Sequence, residues 1–464
     1  MKIRNLIGTK ELYKKILSIA IPVMIQNLIT NFVALIDNIM VGQVGTEQMS
    51  GVAIVNQIFL VFNLAVFGAV SGAGIFCAQF FGKGDHEGVR HTFRFKVISA
   101  VFITILGTLV FMCAGDGLIM SYLHDAEKGI DLSLTFESAK SYMMVMLVGN
   151  LAFALEQAYS STLRESGNTT LPMIAGIVAV VCNTFLNFML IFGIGFFPKM
   201  GVVGAALATV ISRYVQIIIV IGWTHLNRNR LIFPKGLYRS LKIPLTLAKR
   251  ITIKGFIPLV INETLWAAGI ATLTQCYSLR GIDVVAGLNI STTVVNLFNV
   301  LFLAIGSGIA VIIGHMLGAE KFQEARESAP QLIAFSTMLC VGLGIVMALL
   351  SPLFPMAYNT SEHVKNLATV FIIISAIFMP VHGMCHATYF TIRSGGKTLL
   401  TFLFDSCCTW VVIVPLAYCL AYFTNLHIFV VYFLCQAIEI VKCIIGAMFI
   451  KKDIWISNIT KNEM

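Results

Sequence analysis

The chain has 464 residues, of which 58% are apolar and 12% charged, with a mean hydropathy of +0.87 and a formal net charge of +10. Soluble domains carry about 25% charged and 45–50% apolar residues, so this composition excludes a soluble enzyme, a disordered chain and a disulfide scaffold. An apolar span needs about 20 residues, and a dozen of them would occupy roughly half of this length, as expected of an all-α polytopic membrane protein.

Taken in chain order, apolar windows of about 19 residues predict twelve transmembrane helices at 16–40, 51–80, 93–115, 137–161, 171–193, 201–223, 251–278, 286–315, 330–351, 367–392, 400–421 and 427–450. The first follows Lys14-Lys15, exceeds the length of a signal-peptide core and contains Pro22, Asn27, Asn31 and Asp37 with no small-residue cleavage site. It is therefore expected to be a retained span. The 11 cysteines all fall inside apolar runs without metal-finger spacing and read as small buried hydrophobes.

An even number of spans puts both termini on one side of the bilayer. That side gathers 25 Lys and Arg residues, whereas the other holds 5: Lys128, Lys140, Lys199, Arg280 and Lys365. Arg213 and Lys442 lie inside spans. The positive-inside rule then makes both termini cytoplasmic, and the basic charge reports topology rather than a nucleic-acid footprint.

The two halves repeat. At a shift of 236, Pro22 falls on Pro258, Gly45 on Gly281, Gly51 on Gly287, Ser71-Gly72 on Ser307-Gly308, Gly82 on Gly318 and Arg90 on Arg326; after a seven-residue adjustment Arg164, Gly167 and Thr169 fall on Arg393, Gly396 and Thr398. Six spans per copy give both copies one orientation. This predicts two pseudo-symmetric six-helix lobes, 1–226 and 251–464, around a central cleft, joined by a cytoplasmic linker, 227–250, rich in Lys, Arg and Pro. Parallel repeats of this kind are an arrangement used for alternating access. No Walker-type phosphate loop occurs, so ion coupling is the expected energy source and no cofactor is expected.

Several motifs follow one another along this pattern: Asp37-Asn-Ile-Met-Val-Gly-Gln-Val-Gly45, Leu163-Arg-Glu-Ser-Gly-Asn168 and Gly201-Val-Val-Gly-Ala-Ala-Leu-Ala-Thr209 in the first lobe. The second lobe has Ile261-Asn-Glu-Thr-Leu-Trp266, Arg393-Ser-Gly-Gly-Lys397, Asp405 with Trp410 and Pro415, and Glu439-Ile-Val-Lys442. In these residues and their order the sequence resembles the multidrug and toxic compound extrusion (MATE) family over essentially its whole length. The resemblance implies efflux of drugs or toxic metabolites in exchange for Na⁺ or H⁺.

Five acids lie within spans: Asp37, Glu156, Glu263, Asp405 and Glu439. An ionised carboxylate at mid-bilayer costs about 2.5–3.5 kcal/mol on insertion scales, so such groups face a wet cavity or a partner. The resemblance implies that Asp37 belongs to a cation or proton site in the first lobe. Its partners on span 5 match Asn183 and Asn187, which share a helix face at i and i+4. Several relatives carry an aspartate at the second of these places; Asn187 leaves the site one carboxylate fewer. The family's second-lobe acid matches Glu263, and a further acid of some members is replaced by His382.

His382 and His386 also share a helix face, a spacing open to core packing, protonation or metal ligation. No metal site is expected, because no glutamate lies between them. A histidine at an acid's place, together with Asn187, favours H⁺ over Na⁺. Asp405 is supported by a subgroup of the family. Glu156 is placed to pair with Arg213, and Glu439 and Lys442, at i and i+3, to neutralise each other.

Polar stripes containing Asn56 and Asn63 on span 2, and Asn289 and Asn296 on span 8, are expected to line the substrate cleft with His386. The expected partner is an amphipathic or cationic small molecule, handled in the lipid bilayer of the cytoplasmic (inner) membrane by a monomer that binds no nucleic acid. A flippase for lipid-linked oligosaccharides is the nearest alternative. Its anionic cargo calls for a cleft lined with Arg and Lys, whereas these spans offer acids and one arginine, Arg213. An intramembrane enzyme is disfavoured because neither HExxH nor GxSxG occurs, and a channel because lone acids do not make the ring of a filter.

Overall fold

A computed structural model describes residues 6–123, 131–195, 197–228, 231, 233–237, 240, 242–358 and 360–461. Lys2, Arg4, Lys128, Arg230 and Arg239, used above in assigning the sides of the membrane, lie outside the described residues.

The described chain is all-helical, with 12 helices long and apolar enough to cross a membrane. They are α1 (Lys10–Gly42), α2 (Thr46–Lys83), α3 (His86–Tyr122), α4 (Leu132–Glu165), α5 (Thr170–Phe192), α6 (Gly201–Leu226), α7 (Leu245–Ser278), α8 (Ile282–Gly318), α9 (Phe322–Leu350), α10 (Glu362–Ser394), α11 (Thr398–Phe423) and α12 (Ile428–Lys451). Every predicted span falls within one of them, to within a residue or so at the ends. The helices outrun the apolar windows because polar and charged turns extend them: α3 has 37 residues, about 55 Å at 1.5 Å per residue, against a hydrocarbon core of about 30 Å.

Local chemistry sets several of the ends. Asp131 caps α4, its Oδ1 accepting from the N–H groups of Ser133 (2.9 Å) and Leu134 (3.1 Å). Ser361 caps α10 by accepting from Val364 N at 3.3 Å. Two helices contain wider turns. In α7 a π-helical turn, Thr252–Phe256, precedes Pro258. Proline has no N–H for the carbonyl four residues back, and the Thr398 hydroxyl donates to that carbonyl, Lys254 O, at 2.6 Å. In α11 two π-helical turns, Leu403–Cys407 and Thr409–Ile413, follow one another, and Asp405 sits in the first.

The chain divides into two compact units. One comprises Met1–Met24, Ala78–Asp85 and Ile253–Met464; the other comprises Ile25–Cys77 and His86–Thr252. These units cut across the halves read from the sequence at two places, and packing gives the reason. Ile16 and Ile19 of α1 belong to the same buried core as Ile309, Ile312 and Leu332, so the start of α1 joins the C-terminal helices. The corner after α2 joins them through close backbone approach: a side chain at Gly82 would strike the His315 carbonyl, and one at Gly318 the Gln79 carbonyl. Residues 79 and 315, like 82 and 318, are related by the repeat shift of 236, so the contact is reciprocal.

The same unit ties down the residues after α12. Trp455 is buried, and the fully buried Gln79 donates to Ser394 O at 2.8 Å while accepting from Ile459 N at 2.8 Å.

The repeat also appears as matched contacts inside each unit. A Cβ at Gly51 would lie 2.9 Å from Ala139 N, and one at Gly287 would lie 3.3 Å from Ala368 N. Both glycines therefore let two helices meet at equivalent places, since 139 and 368 differ by the adjusted shift of 229. Gly45 and Gly281, just before α2 and α8, both have positive φ, 159° and 119°.

In the other unit, Lys96 of α3 is fully buried and forms an ion pair with Glu165 of α4. Its ammonium also donates to Ser161 Oγ (3.0 Å) and Thr162 Oγ1 (3.2 Å). Sequence position places Lys96 among the interfacial cations, but three donors directed at three acceptors make it an internal tie.

Candidate functional site

Each unit holds a polar cluster built around one or more of the predicted site acids. In the first cluster, α1 supplies Asp37, α5 supplies Asn183 and Asn187, and α6 supplies Thr209. Asn187 Nδ2 donates to Asp37 Oδ1 at 2.6 Å. With the Asn183 amide turned so that its nitrogen faces the carboxylate, Nδ2 lies 2.9 Å from Asp37 Oδ2 and its oxygen 3.3 Å from Thr209 Oγ1, which satisfies both ends of the amide. The spacing of the two asparagines, one helical turn, is what lets both grip a single carboxylate. Asn183 and Asn187 are buried, and Asn187 Oδ1 has no hydrogen-bond partner among the described residues. Asp37 makes no ion pair with any described residue. The cluster is thus a carboxylate held by neutral donors, with a spare acceptor oxygen beside it.

The second cluster is built differently. Lys442 on α12 donates to Glu439 at 3.0 Å and reaches Asp405 on α11 at 3.5 Å. The expectation of a self-contained Glu439–Lys442 pair is corrected: one ammonium serves two carboxylates. Asp405 Oδ2 also accepts from Asn262 Nδ2 at 3.3 Å, and the same nitrogen lies 3.3 Å from Tyr389 Oη. The Ser406 hydroxyl donates to Asn262 Oδ1 at 2.8 Å. The wider π-helical turn brings Asp405 and Ser406 to the α7 side, where Asn262 waits.

The remaining second-lobe residues do not converge on one point. Glu263, half-buried beside Asn262, has no hydrogen bond or ion pair with a described residue. His382 Nε2 lies 3.2 Å from Gln436 Oε1, and Gln436 in turn donates to Tyr432 Oη at 3.0 Å. Glu263 and His382, the two second-lobe positions matched to family acids, share no hydrogen bond or ion pair among the described residues; the histidine pairs with an amide across α10 and α12. His386 packs its ring on Phe302, centroids 4.6 Å apart. The two histidines share a helix face but take different neighbours.

One further expectation changes. Glu156 does not pair with Arg213: its carboxylate accepts from Ser160 Oγ at 2.5 Å and Gln157 Nε2 at 2.9 Å, while Arg213 lies over the Phe153 ring at 5.1 Å. Of the asparagine stripes, Asn56, Asn289 and Asn296 are exposed, and Asn63 is half-buried with an unpartnered Oδ1 among the described residues.

A family model described as MatE matches residues 22–189 and 258–419, beginning at Pro22 in one repeat and at Pro258 in the other. The chain belongs to the MatE family. Members of this family are membrane transporters rather than enzymes.

Among curated relatives, the chain is similar to "Probable multidrug resistance protein NorM" of Thermotoga maritima, 25% identical over 408 residues that cover 88% of this chain and 85% of the relative. It is also similar to "Probable multidrug resistance protein YoeA" of Bacillus subtilis, 22% identical over 417 residues, covering 88% and 87%. Its fold matches a crystal structure of MATE in the straight conformation with a TM-score of 0.82 at 21% identity, covering 98% of both chains. The fold matches equally an outward-facing MATE transporter of the MOP superfamily, TM-score 0.82 at 21% identity, covering 97% and 98%.

Within this MatE chain, sequence reasoning passed over Asn262, Thr209 and Gln436, and gave Lys442 no part in a site. Asn262 stood next to Glu263 in a quoted motif. The available signal was an amide in a span that must find partners, and its buried position, 1% exposed, shows that it does.

Proposed function

We propose that this MatE transporter exports amphipathic organic cations, drugs or toxic metabolites among them, in exchange for protons by alternating access. The observation that carries the reading is Asp37. A carboxylate held by two neutral amides, with no cation beside it among the described residues, is free to attract either a proton or a cationic substrate, but not both at full strength. That competition is what coupling needs, because a ligand that binds both states equally shifts nothing.

Protons are preferred over Na⁺ as the coupling ion. Around Asp37 the chain offers one carboxylate and a few neutral oxygens, fewer hard ligands than an acid at the place of Asn187 would give. The exposed Asn56, Asn289 and Asn296, polar groups on apolar helices, support a wet path for substrate, since unsatisfied amides are costly in lipid. The 1–226 and 251–464 halves are taken as the functional lobes, with 227–250 as the linker. The protein is read as a monomer in the cytoplasmic membrane with both termini inside.

In the proposed cycle, protonation from outside neutralises Asp37 and releases the bound cation. The emptied, protonated protein reorients, loses its proton to the cytoplasm and regains affinity for another cation. Efflux of a fluorescent cation from proteoliposomes under separately imposed pH and Na⁺ gradients tests this. A pH gradient alone should drive uphill export; export driven only by Na⁺ would replace the ion, and no uphill movement under either gradient would refute exchange.

A further inference from the structure

At the end of its unit where α3 begins and α6 ends, the chain forms a cavity of about 730 Å³ that none of the transport chemistry above uses. Arg90, His225, Arg228 and Lys235 line it, over Pro234 and Leu237. No aspartate or glutamate is among the described residues that line it.

The cavity is built rather than incidental. The segment after α6 folds back and buries Phe233 and Leu237, with the Phe233 ring 5.3 Å from that of Phe93. Arg94 clamps the same segment by donating to the carbonyls of Leu237 (3.1 Å), Lys242 (3.1 Å) and Gly236 (3.3 Å). Arg90 Nη1 donates to Lys235 O at 2.8 Å, which fixes one edge of its guanidinium. His225 is positioned by Tyr159, whose hydroxyl lies 3.3 Å from Nε2.

Arg94 thus uses its donors on backbone, whereas Arg90 keeps others, and Arg228 and Lys235 are exposed with no ion pair or side-chain hydrogen bond to a described residue. Three permanent cations and a histidine share one wall with no anion among them. Such a wall is electrostatically incomplete, and the fork of an arginine matches the oxygens of a phosphate. The volume falls in the range of small-molecule sites, about 300–1,000 Å³, larger than inorganic phosphate alone requires.

We propose that this cavity binds a phosphate group carried on a polar body, either the head group of an anionic phospholipid or a free phosphorylated small molecule. Arg90, Arg228 and Lys235 hold the phosphate oxygens, above a floor set by the buried Pro234 and Leu237. The site is separate from Asp37 and does not depend on the transport reading.

The test uses the full-length purified protein in neutral detergent. Retention of phosphatidylglycerol against phosphatidylcholine is read by native mass spectrometry, and binding of inorganic pyrophosphate by thermal shift. Arg228→Gln/Lys235→Gln removes two exposed charges with no structural bond, and Lys451→Gln/Lys452→Gln, at the end of α12, controls for general basicity. The wild type should prefer phosphatidylglycerol or be stabilised by pyrophosphate, and the first double variant should weaken that binding by about tenfold or more, as expected on losing charge-assisted contacts. The control should leave it unchanged. A response to phosphatidylglycerol alone identifies a lipid site, and one to pyrophosphate a soluble ligand. Absence of both responses, or equal binding by the two double variants, would overturn the proposal.

Discussion

The two intramembrane clusters answer the same electrostatic problem in different ways. In one, Asp37 is held by Asn187 and Asn183, donors that orient a carboxylate without cancelling its charge. In the other, Asp405 and Glu439 share the ammonium of Lys442. A carboxylate in a low-dielectric setting with only dipoles around it remains responsive to a proton or a cation. One that already has an ammonium within 3.5 Å is largely committed. On the proposed reading, exchange belongs to the first cluster and the second has a chiefly structural role.

The largest effect is expected from breaking the first cluster. Asp37→Asn keeps the shape and one acceptor oxygen but removes the charge, so gradient-driven efflux from proteoliposomes should fall to the leak rate while expression and thermal stability stay near wild type.

Next comes the second cluster, where stability rather than coupling should suffer. Lys442→Met leaves two half-buried carboxylates without their buried cation, and breaking a buried pair costs at most about 3–5 kcal/mol. Thermal inactivation in detergent should show a marked loss, and the triple change Lys442→Met/Asp405→Asn/Glu439→Gln should recover most of it. A triple variant as unstable as the single one would mean that the ammonium has another duty.

A third, smaller effect tests whether the repeat contacts are equivalent. Gly51→Val and Gly287→Val each push a side chain into a facing helix, and overpacking of this kind costs about 1–3 kcal/mol. Melting curves should report losses within about a factor of two of each other.

The smallest effect is expected at His382. Its ring nitrogen bonds the Gln436 amide, and Gln in its place can keep a hydrogen bond, so His382→Gln should lower pH-driven efflux by less than the Asp37 change and leave its pH dependence in place. A loss equal to that of Asp37→Asn would move the coupling site to His382 and its neighbours on α10 and α12.

The architecture was legible because it rests on local and periodic signals. Apolar windows located all twelve helices, and the spacing of Pro22, Gly51 and Gly82 from Pro258, Gly287 and Gly318 revealed the repeat before any contact was known. The cluster around Asp37 was legible through resemblance together with the one-turn spacing of Asn183 and Asn187. Partner choice at long range was not. Lys96 and Glu165 are 69 positions apart, and neither hydropathy nor charge counting says that an apparent interfacial lysine is buried against an acid. Lys442 likewise had a sufficient partner at i−3, so nothing in its own helix pointed to Asp405. Glu156 drew attention to Arg213, the nearest intramembrane cation by reasoning on charge, but Ser160 and Gln157 on its own helix were closer. The π-helical turns of α11, which set the direction of Asp405, have no recognisable sequence signature here.

The central claim is that the Asp37 carboxylate is where proton and substrate compete. It is tested most directly by measuring the affinity of a fluorescent organic cation for the purified wild type and for Asp37→Asn across a pH range of about 5–9, with and without Na⁺ at constant ionic strength. The wild type should bind more weakly as pH falls, because protonation removes the negative charge, whereas Asp37→Asn should bind weakly at every pH and Na⁺ should matter little to either. Tight binding by Asp37→Asn with the wild-type pH dependence retained would contradict the account.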